Sequence, residues 1–198
     1  MLEMEKKKQR KILKEDVPEE IRHGMVVSNI AYRIAKTLEC DSQMCYDMAI
    51  AGFVHDIGKI RLAGYLYGRG DNTLKIEEMR YIRMHSKLSY DILKDRDFSP
   101  RVCETVLYHH ENYDGSGYPN NLRGEEIPYG ARILRISDVF SALMSDRPYR
   151  KAFDFQTALE LMIDEVKNFD MEIFLAFMQV IHEFDVEAFV RETRAEKQ

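Results

Sequence analysis

Apolar residues recur at helical spacing along most of this chain, and that recurrence limits the fold more than any other feature. In residues 21–38, Ile21, Met25, Ile30, Ile34 and Leu38 fall three to five apart, which predicts a helix with one buried face. Segments 43–58, 77–93, 101–111, 155–167 and 170–184 read the same way. Ser99 followed by Pro100 fits an N-cap and a first helical residue, and Asp154 before Phe155 fits a second N-cap. No run alternates apolar and polar residues convincingly; a short hairpin near 121–128 is the one β expectation. The fold class is therefore all-α.

Three regions interrupt the pattern. Residues 1–16 carry six Lys and Arg in a polar stretch, read as an N-terminal basic arm or connector helix, with residues 17–198 as the main domain. Residues 61–73 hold three glycines without a clear period and read as a mobile loop. Residues 112–130 hold four glycines and two prolines, and a loop of that length inside a helical domain is commonly functional.

A chain of 198 residues is long enough to bury a real core. Its net charge of -5 argues against a partner that is duplex nucleic acid, since such binders present a basic surface. A small anionic substrate is not excluded, because local cations or metal ions decide that. The three cysteines match no disulfide framework or zinc knuckle and read as buried or free thiols in a reducing compartment. No apolar run reaches the roughly 18 residues of a membrane span, and the charged N-terminus lacks a signal-peptide core. The expectation is a cytoplasmic protein, with a sensor domain or membrane tether elsewhere in a longer chain, and a homodimer through the N-terminal helix, both left open.

Six histidines punctuate this helical pattern. His55 and Asp56 are consecutive and follow an apolar helix; a buried carboxylate beside a buried imidazole is costly unless a cation compensates, and a first-row metal suits that ligand pair. Glu19 and His23 are four apart and share a helix face. His85 sits inside or at the start of a helix. His109 and His110 end an apolar helix, and because adjacent helical side chains diverge by about 100°, two metals suit them better than one. Asp138 is an acid in an otherwise apolar helical stretch. A mononuclear site takes three or four protein ligands, so these candidates point to a cluster of two or three metals, which can activate water and assist in-line displacement at phosphorus.

The series His23, His55-Asp56 and Asp138 resembles the HD superfamily of metal-dependent phosphohydrolases. The pieces HDIGKI (55–60), His85, HHENYDGSGYP (109–119), the residues IP, ARIL and ISDVF within 127–140, and SDRPYRKA (145–152) resemble its HD-GYP subgroup, over roughly residues 19–180. The resemblance implies an HD-domain helical bundle with an extended GYP loop. It implies hydrolysis of cyclic di-GMP to linear pGpG, and in some members on to GMP, by a metal-bridged hydroxide. It implies two or three divalent ions, iron or manganese, held by His23, His55, Asp56, His85, His109, His110 and Asp138, with Glu19 at the position of an additional carboxylate in trinuclear members. Asp56 would bridge metals and Lys59 would face phosphate. Tyr118 would offer a ring to a base or ribose, Gly115 and Gly117 would give the loop its backbone shape, and Arg147 and Arg150 would contact phosphate, with Lys151 a weaker candidate.

The chain departs from the subgroup's pattern in three places. Residues after HDIGKI read RLAGYLYGRGDNTLKIEEM, without the usual proline-containing segment; SDVFSA has Ser141 in place of an acid; and FDM stands at 169–171 in place of FDP. The altered stretch keeps a different cyclic dinucleotide, such as a mixed GMP-AMP ring, open as the substrate. A non-catalytic nucleotide-binding or interaction module is the remaining alternative, against which the complete ligand set counts.

Overall fold

The computed structural model describes residues 2–66, 82–146 and 150–195. In chain order the helices are α1 (Leu2–Thr37), α2 (Ser42–Val54), α3 (Lys59–Leu66), α4 (His85–Lys94), α5 (Pro100–Tyr108), α6 (Tyr129–Leu143), α7 (Phe155–Asp164), α8 (Met171–Glu183) and α9 (Val186–Ala195). Two 3-10 turns span Gly124–Glu126 and Val166–Asn168. The fold is all-α, as the periodicity predicts. The hairpin expected at 121–128 is instead a loop ending in the first of these turns.

Side-chain caps set several helix starts. Asp41 accepts from Met44 N–H at 2.7 Å, Ser99 from Val102 N–H at 3.2 Å, Asp154 from Thr157 N–H at 3.0 Å and Asp170 from Glu172 N–H at 3.0 Å. Each such cap is worth about 1 kcal/mol. Asp170 explains why FDM serves in place of FDP: position 171 is the first helical residue, where proline would only preset the backbone. Residues 61–66, expected to be loop, belong to α3, and 67–73 lie outside the described residues, as do 77–81 of the helix expected over 77–93. The arm expected over 1–16 is helical from Leu2 and continues through Pro18 into the packed half of α1.

The core gathers around α6. Its Ile133, Leu134, Ile136 and Phe140 are fully buried. The larger cluster joins Ile133, Ile136 and Phe140 to Ile30 and Ile34 of α1, Met48 of α2, and Ile173 and Phe177 of α8. A second cluster joins Leu134 to Val27, Ala51, Leu93, Val102 and Val106 from α1, α2, α4 and α5. Each fully buried side chain of this size contributes roughly 1.5–3 kcal/mol. Of the stripe read from 21–38, Ile30 and Ile34 are buried, but Ile21 and Met25 are 46% and 40% exposed. The five-residue step from Met25 to Ile30 turns the helix face by about 140°, so the two halves of the stripe look in different directions. Cys40, Cys45 and Cys103 are free thiols. Among the described residues no helix is long and apolar enough to cross a membrane.

Candidate metal centre

The turn after α2 begins the site. The helical pattern read over 43–58 stops at Val54, and His55 to Gly58 form a turn instead. Gly58 N–H donates to Ser89 Oγ at 2.8 Å. A Cβ on Gly58 would lie 2.3 Å from His85 O and 2.7 Å from Ser89 N, distances no side chain tolerates, so only glycine lets this turn rest on the start of α4. That contact brings Asp56 Oδ1 within 3.2 Å of His85 Nε2.

Four other elements deliver the remaining groups. His23 comes from α1, His85 from the first residue of α4, His109 and His110 from just past α5, and Asp138 from the middle of α6. His23 Nε2 lies 3.0 Å from Asp138 Oδ1, and His55 Nε2 lies 3.2 Å from Asp56 Oδ2 and 3.5 Å from Asp138 Oδ1. His85 Nε2 is 3.4 Å from His109 Nε2 and 2.9 Å from His110 Nε2. Three overlapping groups can each converge on one ion: His23, His55 and Asp138; His55, Asp56 and His109; and His85, His109 and His110. The two consecutive histidines therefore do not diverge as they would on a helix. α5 ends at Tyr108, the chain turns, and the rings of His109 and His110 sit with centroids 3.9 Å apart, facing His85.

Hydrogen bonds behind the rings define what the front can bind. Nδ1 of His55, His85 and His109 each donates to a carbonyl three residues earlier, Gly52, Ile82 and Val106, at 2.8, 2.5 and 2.6 Å. A carbonyl only accepts, so each Nδ1 carries a proton and each Nε2 is turned toward the centre, the orientation of metal-ligating histidines. Ser141 Oγ lies 2.9 Å from His23 Nδ1 and holds that ring from behind. His55 Nε2 is buried with no well-directed hydrogen bond.

The charges agree with this. Burial works against the charged forms of Asp56 and Asp138, yet His55 and Lys59 hold Asp56, and hydrogen bonds from His23 and His55 hold Asp138, well below the ordinary carboxylate range. Burial opposes charge on His55 as well, but Asp56 and Asp138 raise it to about 10. His109 is lowered to about 3 by burial and by His55 and His85, and burial lowers His110 strongly too. Two buried carboxylates thus face a ring of buried imidazoles in which His55 supplies the answering charge. Uncompensated buried charge costs several kcal/mol, more than one core side chain returns, and divalent cations are what this donor set fits.

Several residues singled out in the sequence stand differently. Glu19 joins none of the three groups; its Oε2 accepts from Arg22 at 2.6 Å. The neighbouring Glu20, which the sequence reading passed over, lies 3.6 Å from Lys59 Nζ with Oε2 buried. Lys59 Nζ is 2.5 Å from Asp56 Oδ2. Tyr118 stacks on His110 at 4.7 Å between centroids, with Arg83 5.2 Å from its ring centre. Arg150 donates to the carbonyls of Ala142, Leu143, Ser145 and Lys151, which fastens the end of α6. Lys151 is exposed, and Arg147 lies outside the described residues. Glu111, to which the motif gives no role, is buried, accepts from Asn120 and Leu122 N–H at 2.7 and 3.1 Å and holds the loop closed. Gly115 in that loop has φ 86°, a backbone shape that favours glycine.

Comparison with known proteins adds to this geometry. The HD domain family's sequence profile matches residues 7–173. A cyclic di-GMP phosphodiesterase of Pseudomonas aeruginosa is 32% identical over 170 residues, 85% of this chain and 41% of that protein. A 3'3'-cGAMP-specific phosphodiesterase of Vibrio cholerae is 34% identical over 157 residues, 77% of this chain and 36% of that protein. The chain thus spans about two fifths of the length of these curated relatives. Among solved structures, a cyclic GMP-AMP specific phosphodiesterase of Vibrio cholerae superposes with a TM-score of 0.67 at 15% identity, over 85% of this chain and 45% of that one, and shares the helical fold.

Proposed function

The chain belongs to the HD domain family, and from that premise we propose that it is a metal-dependent phosphodiesterase of cyclic dinucleotides, with cyclic di-GMP as substrate and pGpG, or further GMP, as product. One observation carries the reading: imidazole Nε2 atoms and two carboxylates from separate elements converge in overlapping groups whose atoms lie within 4.8 Å of one another. His23, His55, Asp56, His85, His109, His110 and Asp138 would hold two or three divalent ions, iron or manganese. Such ions supply an activated water at neutral pH and neutralise charge developing at phosphorus.

The chain's own groups do the rest. Asp56 offers Oδ1 toward His85 and Oδ2 toward His55, so one carboxylate can serve two neighbouring sites. The backbone carbonyls behind His55, His85 and His109 keep their Nε2 atoms aimed inward without reorganisation. Lys59 stands beside Asp56 and can donate to a phosphate oxygen. Burial and Asp138 keep the Tyr118 hydroxyl protonated at working pH, which suits it to donate a hydrogen bond or stack on a base, not to act as a general base. Arg147 is assigned to phosphate contact, and Arg150 supports that region by holding the end of α6. Glu19 would reach a third ion only by leaving Arg22.

The mixed GMP-AMP ring is a second substrate reading, favoured by the Vibrio cholerae relative that carries that specificity in its name and by the altered sequence after HDIGK. The ratio of kcat/KM for the two rings separates them. For the common reading, Asp56→Ala should lose bound metal and lower turnover by at least about 10³-fold, since an electrostatic centre of this kind supplies several kcal/mol. Full turnover in that variant would refute the assignment.

A further inference from the structure

Two described arginines on or beside α6 are engaged in holding the fold. Arg132 donates to Asp170 at 2.7 Å and to Ile127 O at 3.1 Å, and Arg150 is spent on carbonyls. Arg135 is different. It sits three residues before Asp138, on the same side of α6 and one turn away. It is partly buried, and its Nε donates to Asn112 Oδ1 at 3.0 Å. Among the described residues no carboxylate lies within ion-pair distance of it, and the four other N–H groups of its guanidinium find no partner. Asn112 is itself held, its Nδ2 donating to Ser116 Oγ at 2.9 Å, so the amide fixes one edge of the guanidinium and leaves the fork open. The charge is close enough to act on His110 and Tyr118, the stacked pair at the edge of the centre. Burial works against the arginine's charge, with Asp138, Tyr118 and Glu165 pulling the other way.

A cyclic dinucleotide carries two phosphodiesters in one ring. When one lies at the metal centre, the other is held nearby and needs its own counter-charge. We propose that Arg135 is the substrate-binding residue for the phosphodiester that is not under attack, oriented by Asn112 and gripping that phosphate through its open fork. A guanidinium fork matches phosphate bidentately, as a lysine cannot. The inference rests on the reading of the chain as a cyclic-dinucleotide phosphodiesterase.

The test compares wild type, Arg135→Ala, Arg135→Lys and Asn112→Ala in metal content, in kcat and KM for the cyclic dinucleotide the wild type hydrolyses, and in Kd for its phosphorothioate analogue. Arg135→Ala should raise KM and Kd roughly 10- to 100-fold, the loss of charge-assisted hydrogen bonds. Its kcat and metal content should stay within about twofold of wild type. Arg135→Lys should recover part of the loss, because the charge returns without the fork, and Asn112→Ala should lose less than Arg135→Ala. A fall in kcat with KM unchanged would overturn the proposal, as would loss of metal. Equal defects in Arg135→Ala, Arg135→Lys and Asn112→Ala would also overturn it, because they would mean that the arginine only braces the loop. A wild type that neither binds nor hydrolyses any cyclic dinucleotide removes the functional reading and this inference together. An active wild type with an unaffected Arg135→Ala variant removes this inference alone.

Discussion

At neutral pH the metal-free centre holds His55 as a cation, raised to about 10 by Asp56 and Asp138 against the opposing effect of burial, while His109, lowered to about 3, is neutral. A metal ion that takes His55 Nε2 must displace its proton. Metal affinity should therefore climb as pH rises from 6 to 9, by roughly tenfold per unit for each proton displaced, and level off once His55 is neutral near 10. Titration calorimetry in buffers of different ionisation enthalpy would read the proton released; affinity independent of pH across this range would contradict the charge assignment. Glu19 offers a second test at the same scale. With its carboxylate on Arg22, Glu19→Ala should leave the number of metals per chain unchanged, and loss of one ion would mean that the side chain turns inward when metal is present.

Among the elements, the turn between α2 and α3 depends on its contact with α4. Gly58→Ala would drive a methyl into His85 O and Ser89 N, both backbone atoms that can yield only by moving α4. Overpacking of this kind costs about 1–3 kcal/mol, and here the displaced helix carries His85. The variant should melt several degrees lower and bind metal more weakly; wild-type values on both counts would show that the turn and α4 are not in the contact described. The loop after α5 is pinned in a different way, by the buried Glu111 accepting two backbone N–H groups. Its glycine and proline content announced a loop in the sequence, but the anchor could not be read there, because its partners lie 9 and 11 residues ahead and meet it only after the loop closes.

For the molecule as a whole, helical period and capping residues made most of the bundle legible. They failed where the pattern changes face, at Met25 to Ile30, and where a helix of only eight residues, α3, is too short to display a period. The buried histidine–aspartate cluster was legible through the motif order, which named the residues that the fold brings together. Glu20, Ser141 and Arg135 were not, because a single polar residue on a helix has no signature until tertiary packing decides which side it faces. Ser141 stood out only as a departure from the HD-GYP pattern, and its place behind His23 required α1 and α6 to be side by side. The central claim is that the histidine–aspartate cluster is a multi-metal centre acting on a cyclic dinucleotide. The most direct test is metal analysis of protein purified without oxygen, with the same sample then assayed on cyclic di-GMP and on the mixed GMP-AMP ring. The account predicts two or three iron or manganese ions per chain, as a cluster of this ligand number implies, together with linear product from one of the rings. A chain that takes up no metal even after reconstitution with iron and manganese, and forms no product, would contradict it.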